Sequence, residues 1–318
     1  MTQFTTTIIG SGSAKPRNGN LSSCQLLSHN GHLALIDCCD GACTELLRMG
    51  YSINKIEKVF ITHAHGDHCL GLPCLIATMG LNRKETALHV YAPKEVFSIL
   101  SPAIDAMCGK NGCDLPFWLE YHEVSLLSCY GWPAKYTGNV CEWEGLDVRA
   151  VYLKHDNLET YGYIFKEKPG KRHINMDAMQ KYGIPRGTYE YVRDHDWETD
   201  DGTVIPNSLL TIPPSPPRAY GYIADTLKYD GLENLLKGVT TLYCEASFQD
   251  KDRELAEKWH HCTSSDAAML ARDARTVRQL IIGHISARYE SEEESVEEAK
   301  VEFSATCYAE KNKTFTIE

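Results

Sequence analysis

Short apolar runs broken by Gly, Asn and Ser set the rhythm of the chain's first third. Residues 5–9, 24–27 and 32–36 are brief, largely aliphatic or β-branched, and bounded by turn formers, which predicts strands. Residues 44–49 predict a helix closed by Gly50, and 58–62 the next strand. A helix is expected over 70–79. Further strands are expected at 87–91, 146–152, 161–166, 220–224, 241–245 and 279–283, with helices at 265–274 and 292–303. No internal repeat and no long low-complexity stretch is present. This alternation predicts a sheet-rich α/β domain, most simply two sheets with outer helices.

One segment interrupts the rhythm. Residues 167–217 carry scattered charges and end in Ile212-Pro213-Pro214-Ser215-Pro216-Pro217, yet they separate two strong strand signals. The segment has too little apolar periodicity to build a core and is expected to be an arm projecting from the fold. Gly183-Ile184-Pro185 and Asp200-Asp201-Gly202 read as specific turns, which favours an arm over a disordered loop. The expected organisation is a single domain over 1–318 with this arm inserted at 167–217.

Composition narrows the function classes. No apolar run approaches the roughly 20 residues that span a bilayer. Met1-Thr2-Gln3-Phe4 lacks the basic start of a signal peptide, so a cytoplasmic protein without a membrane partner is expected. The 13 cysteines then read as reduced thiols, and the lack of any CxxC pair argues against a thiolate zinc knuckle. A formal charge of −11 argues mildly against a general nucleic-acid binder, while leaving room for a basic groove on an acidic body.

The densest chemistry is Thr62-His63-Ala64-His65-Gly66-Asp67-His68, directly after the apolar Val59-Phe60-Ile61. A loop at a strand end can turn such side chains onto one point. Imidazole plus carboxylate, without thiolate, suits a hydrolytic zinc site with an open position for water. Three later residues, His155, Asp225 and His284, also follow apolar strands. Each alone reads as a capping aspartate or a core histidine. Together with the histidine loop they supply seven ligand-type groups from strand ends. The assignment that follows has His63, His65 and His155 on one zinc, Asp67, His68 and His284 on the other, and Asp225 bridging the two.

These motifs resemble ribonuclease Z in its short form, a tRNA 3′-processing endonuclease of the metallo-β-lactamase fold. The resemblance runs through Ile8-Ile9-Gly10-Ser11-Gly12-Ser13-Ala14, Leu35-Ile36-Asp37-Cys38 and the histidine loop. It continues through Cys244-Glu245-Ala246-Ser247-Phe248, His261-Cys262-Thr263 and Gly283-His284-Ile285-Ser286-Ala287-Arg288-Tyr289. The ligand motifs specify only the wider superfamily; the Glu-Ala-Ser-Phe, His-Cys-Thr and Ile-Ser-Ala-Arg-Tyr elements are more particular.

The resemblance implies an αββα sandwich of two mixed sheets with outer helices and a protruding exosite arm. It also implies two Zn2+ per subunit, a precursor tRNA substrate, and a homodimer. The reaction would be two-metal phosphodiester hydrolysis that removes the 3′ trailer and leaves a tRNA 3′-hydroxyl. Asp67 would be both a ligand and the group that orients the attacking water. His261 would protonate the leaving oxygen, with Glu245 orienting it. Asp37 matches a position near the metals, read either as the partner of a ligand imidazole or as a plain turn.

Two elements depart from the family pattern. The arm's tip, Tyr191-Val192-Arg193-Asp194-His195-Asp196-Trp197-Glu198, is largely acidic where relatives carry lysines. In Lys15-Pro16-Arg17-Asn18-Gly19-Asn20 the lysine precedes the proline instead of following it. A rival reading is a small-molecule phosphodiesterase or arylsulfatase-like hydrolase of the same fold, which would not need the arm. A catalytically dead scaffold or RNA-binding protein that retains the fold is a second rival; a missing ligand would mark it, and none is missing.

Overall fold

The computed structural model describes residues 3–15, 19–126 and 137–318. Strand alternation sorts the apolar residues onto two faces of a seven-stranded sheet. Its order is Thr314–Thr316, Phe4–Gly10, Cys24–His29, His32–Ile36, Ile56–Phe60, Leu88–Ala92 and Leu119–Glu123. The first three pairings are antiparallel and the last three parallel, so the sheet is mixed. One face sends Ile9, Leu26, Leu33, Leu35, Val59 and Val90 under the helices Ala42–Arg48, Leu72–Leu81 and Lys94–Cys108. The other face sends Phe4, Ile8, Leu27, Ala34, Ile36 and Phe60 into a second apolar cluster.

That second cluster is shared with another seven-stranded sheet. Its order is Thr306–Tyr308, Gln279–Gly283, Thr241–Glu245, Ala219–Ile223, Thr160–Glu167, Leu146–Leu153 and Thr137–Trp143. The first three pairings are parallel and the fourth antiparallel. Phe60 meets Tyr163 and Phe165 of this sheet with ring centroids 5.3 and 5.1 Å apart, so the two sheets pack face to face. Ser264–Ala274 buries Ala267, Ala268, Leu270 and Ala271 against the second sheet's other side. The expected two mixed sheets with outer helices are therefore the observed architecture.

The expected site residues sit at the carboxyl ends of strands. Ile56–Phe60 runs into the histidine loop, Ala219–Ile223 into Asp225, and Gln279–Gly283 into His284; His155 follows Leu146–Leu153. The carboxyl ends of parallel strands leave a crevice where side chains from separate loops can meet.

Residues 167–217 form a compact unit of their own. His173–Ile174 pairs with Thr211–Ile212, and Trp197–Glu198 with Val204–Ile205. Gly183 and Gly202 take positive φ values of 63° and 82° in its turns. The expectation that this segment cannot build a core is corrected: Met179, Ile184, Val192, Ile205 and Leu210 bury one another, with Tyr182, Tyr189 and Trp197 packed around them. These apolar residues come from several very short elements, so no single element shows a period.

Candidate metal centre

The histidine loop is a turn followed by a one-turn helix, Gly66–Cys69, which carries Asp67 and His68. Backbone bonds tie it to the loop after the third strand: Cys38 N–H donates to the His68 carbonyl (2.7 Å) and Gly71 N–H to the Cys38 carbonyl (2.9 Å). A Cβ on Gly71 would lie 1.9 Å from the Cys39 carbonyl oxygen, so only glycine allows this approach.

All seven expected ligands converge, in two groups. His63 Nε2 and His155 Nε2 lie 3.0 and 3.2 Å from His65 Nδ1. His68 Nε2 and His284 Nε2 each lie 3.5 Å from Asp67 Oδ2. Asp225 stands between the groups. Its Oδ2 faces His63, His155 and His68 at 3.9, 3.7 and 3.6 Å, and its Oδ1 faces His284 at 3.5 Å.

Two observations test whether these residues fit a metal. Tetrahedral ligand atoms bonded at 2.0–2.1 Å lie roughly 3.3 Å apart, close to the separations found here. His68 Nε2 and Asp225 Oδ1 are also buried with no hydrogen-bond partner, although polar atoms in such positions are normally paired. A cation coordinated by them accounts for both facts.

The outward nitrogens of four of the five histidines are hydrogen-bonded, while that of His65 stands 3.8 Å from Asp156. His68 Nδ1 donates to Asp37 (2.8 Å), His63 Nδ1 to the Thr62 hydroxyl (3.0 Å), and His155 Nδ1 to the His260 carbonyl (3.1 Å). His284 Nδ1 donates to Ser247 Oγ (2.8 Å), which donates in turn to Glu245 (2.7 Å). Each bond fixes a tautomer that leaves the inward nitrogen free to coordinate. Asp37, Asp156, His260 and His284 take positive φ values of 55°, 43°, 54° and 58°. Left-handed backbone at non-glycine residues carries strain, and four of the ten such residues among those described lie in or beside the centre.

Electrostatics separate the imidazoles. Burial, reinforced by neighbouring His68, holds His63 well below the usual histidine range. Burial also opposes charge on Asp225 and Asp67, yet the facing histidines outweigh it; Asp67 is lowered to about 2. His261 lies beside both groups, its ring centroid 4.8 Å from that of His155 and 5.5 Å from that of His284. Its Nδ1 donates to Glu245 at 3.0 Å. Burial disfavours charge on His261, but Glu245 prevails and raises it to about 9. Glu245 is fully buried, and its oxygens also accept from the backbone N–H groups of Thr226, Ser247 and Cys262.

A cleft of about 210 Å³ opens over the ligands, lined also by Lys15, Asp156, Phe248 and Trp259. Trp259 is 51% exposed there. Its spacing two residues before His261 was the available sequence signal for it. Thr62 and Ser247 fall within quoted motifs, but their roles and that of the His260 carbonyl were not readable, because they depend on contacts such as Thr62–Asp37, Ser247–His284 and His260–His155 that the fold creates. Pro16, Arg17 and Asn18 of the Lys15–Asn20 loop lie outside the described residues. Among those described, no helix is long and apolar enough to cross a membrane.

Comparison with known proteins adds the following. Residues 4–178 match the family model described as Anti-Pycsar protein Apyc1. The chain is 35% identical over 310 residues to ribonuclease Z of Porphyromonas gingivalis, covering 97% of each. It is 34% identical over 318 residues to ribonuclease Z of Parabacteroides distasonis, covering 100% of each. Among solved structures it shares its fold with human tRNase Z, short form (TM-score 0.70, 22% identity, 99% of each chain). It also shares it with yeast PDE1 (TM-score 0.60, 11% identity, 100% of each chain).

Proposed function

Because the chain belongs to the ribonuclease Z family, and through residues 4–178 to that described as Anti-Pycsar protein Apyc1, we propose that it is an endoribonuclease that removes the 3′ trailer of precursor tRNA. His63, His65 and His155 would hold one Zn2+, Asp67, His68 and His284 the other, with Asp225 between them. Bound there, the ions would acidify a water and neutralise charge on the phosphoryl oxygens.

The chain's own residues supply the rest. Asp67, ionised and aimed into the cleft, orients the attacking water. His261 gives its proton to the departing 3′-oxygen of the tRNA body, and Glu245 sets its orientation and keeps it protonated. Trp259 and Phe248 offer aromatic faces for bases beside the scissile phosphate, where stacking contributes roughly 1–3 kcal/mol per base.

The single observation that carries this reading is the placement of His261, whose Nδ1 donates to the buried Glu245 at 3.0 Å while its ring stands beside both ligand groups. A ribose oxygen is a poor leaving group that needs a proton; an activated aryl oxygen does not. A proton donor built at this cost favours RNA over a small aryl ester.

Residues 167–217 would serve as the exosite for the tRNA body, in a cytoplasmic homodimer. Within that unit Glu190 engages both Lys171 (3.3 Å) and Arg193 (2.5 Å), which spends cationic charge otherwise available to phosphate. The segment's grip would then draw on aromatic as well as ionic contacts.

The test is to incubate zinc-loaded protein with a 3′-extended precursor tRNA and, separately, with bis(p-nitrophenyl) phosphate, mapping the RNA ends. A single cut after the discriminator base or CCA supports the proposal. Hydrolysis of the small diester alone replaces it with a small-molecule phosphodiesterase.

A further inference from the structure

A second cluster of imidazole and carboxylate groups lies outside the centre described above. It is built on the parallel strands Leu88–Ala92 and Leu119–Glu123, the latter at the edge of the first sheet. The register sets His89 opposite Glu120 and Tyr91 opposite His122. Alternation therefore puts His89, Glu120 and His122 on one face, the face on which Tyr91 enters the core between the sheets. Leu88 and Val90 point the other way, under the helices.

The three donor atoms meet at one point. His89 Nδ1 lies 3.1 Å from His122 Nε2; Glu120 Oε2 lies 3.3 Å from the first and 3.7 Å from the second. These separations match those in the main centre and those of ligands around one ion. A proton shared between the two rings would explain their contact but not the convergence of Glu120 on both nitrogens. Tyr91 stacks on His122 (4.5 Å between centroids, 13° between planes) and fixes that ring. The side chains of His89, Glu120 and His122 are 28%, 49% and 36% exposed, so further positions are open to water. A cavity of about 330 Å³, lined by Tyr91, His122 and Glu123, adjoins them.

His32 forms a superficially similar group but fails the same test. Glu57 meets its Nδ1 (2.7 Å) and Glu144 its Nε2 (3.3 Å), so the nearest carboxylate contacts fall on different ring nitrogens and describe two ion pairs better than one shared ion.

We propose that His89, Glu120 and His122 form an additional, solvent-open site for a divalent transition metal of the zinc class. Two imidazoles and one carboxylate suit zinc, nickel or copper better than magnesium or calcium. Burial, aided by Lys58, holds both imidazoles below the usual histidine range, which favours the neutral ring with one lone-pair nitrogen. Lys58 stands opposite His89 on the neighbouring strand, with its ammonium 3.2 Å from the Tyr91 hydroxyl. It opposes the incoming dication and weakens the site relative to the main centre. A bound ion would tie the edge strand to its neighbour and raise thermal stability.

The proposal is independent of what the main centre cleaves. To test it, protein already loaded with zinc is freed of loose metal by gel filtration and titrated with ZnCl2 by calorimetry. One further equivalent is expected, with a rise in Tm. The double substitution His89→Ala/His122→Ala should abolish it while leaving circular dichroism and cleavage activity unchanged. The exposed Glu120→Gln, which keeps side-chain shape, should weaken binding about tenfold or more. Lys58→Gln should tighten it roughly fivefold. No further equivalent in the wild-type protein overturns the proposal. So does an equivalent that persists with unchanged affinity in both Glu120→Gln and the double variant.

Discussion

Replacing Asp37 by Asn tests the centre where its support is deepest. Asp37 is fully buried. Its Oδ1 accepts from Thr62 N (2.9 Å) and Oγ1 (3.0 Å), and its Oδ2 accepts from His68 Nδ1 (2.8 Å) and the Tyr222 hydroxyl (3.0 Å). Asparagine keeps the volume and tolerates the positive φ of 55°, but one oxygen becomes an NH2 group.

If the oxygen stays with Thr62, the NH2 faces His68 Nδ1–H, donor against donor. The conflict is relieved by moving the imidazole proton to Nε2, the nitrogen aimed at the metal position. If the amide flips, the conflict falls on the Thr62 backbone N–H instead. Loss of a carboxylate behind a ligand histidine typically costs 10–100-fold in metal affinity, about 1.4–2.7 kcal/mol. A buried donor left unpaired costs roughly 1–3 kcal/mol of fold stability besides. Zinc competition against a chromophoric chelator, with urea unfolding as control, reads the two effects apart. Asp37→Asn is expected to release one zinc about 10–100-fold more readily and to lose precursor cleavage in proportion. A folded variant that holds both ions as tightly as the wild type refutes the reasoning.

Three further substitutions probe other steps. His261→Ala should slow precursor-tRNA cleavage about 10²–10⁴-fold while sparing bis(p-nitrophenyl) phosphate hydrolysis; equal losses on both substrates would reject His261 as proton donor. Trp259→Ala should lower kcat/KM on precursor tRNA by roughly 5–150-fold, the equivalent of one stacked base, and Trp259→Phe should recover most of it. An unchanged RNA rate in the alanine variant removes Trp259 from the binding surface. Lys84 is 1% exposed, and its ammonium donates to the Asn54 and Ile56 carbonyls at 2.8 and 2.9 Å, just ahead of the strand that leads to the histidine loop. Lys84→Met leaves both carbonyls unpaired and should cost about 2 kcal/mol by urea unfolding; a loss within measurement error would show that water replaces the lysine.

What was legible in the chain depended on range. His63, His65, Asp67 and His68 announce themselves because four ligand-type residues fall within six residues of one turn. His155, Asp225 and His284 were readable only as residues that follow apolar strands, since the fold brings them together from separate loops. The strand Leu119–Glu123 was not expected: Leu-Glu-Tyr-His-Glu has little apolar content, as befits an edge strand with neighbours on one side only. The helix Lys94–Cys108 was likewise unforeseen, because Pro102 inside it breaks the helical pattern while tertiary packing of Val96, Leu100 and Ile104 sustains it. The core of residues 167–217 was missed for a related reason, its five buried side chains being spread over elements of two to six residues and the turns between them.

The supporting contacts were illegible on different grounds, and they explain how the centre is held. Two buried carboxylates each serve two histidines of the site. Asp37 holds His68 directly and His63 through Thr62; Glu245 holds His284 through Ser247 and His261 directly. A buried carboxylate is costly unless several donors satisfy it, and donors from elements far apart in sequence meet both. Tyr222, on the second sheet, donates to Asp37 beside the first. The support of the first sheet's histidines is therefore completed by a donor from the second sheet packed against it. The histidine loop carries the ligand types by itself, but the geometry that makes them a centre belongs to the packed sandwich. A peptide spanning residues 56–72 would retain four of the seven ligands and neither the Tyr222 contact nor the Ser247–Glu245 relay.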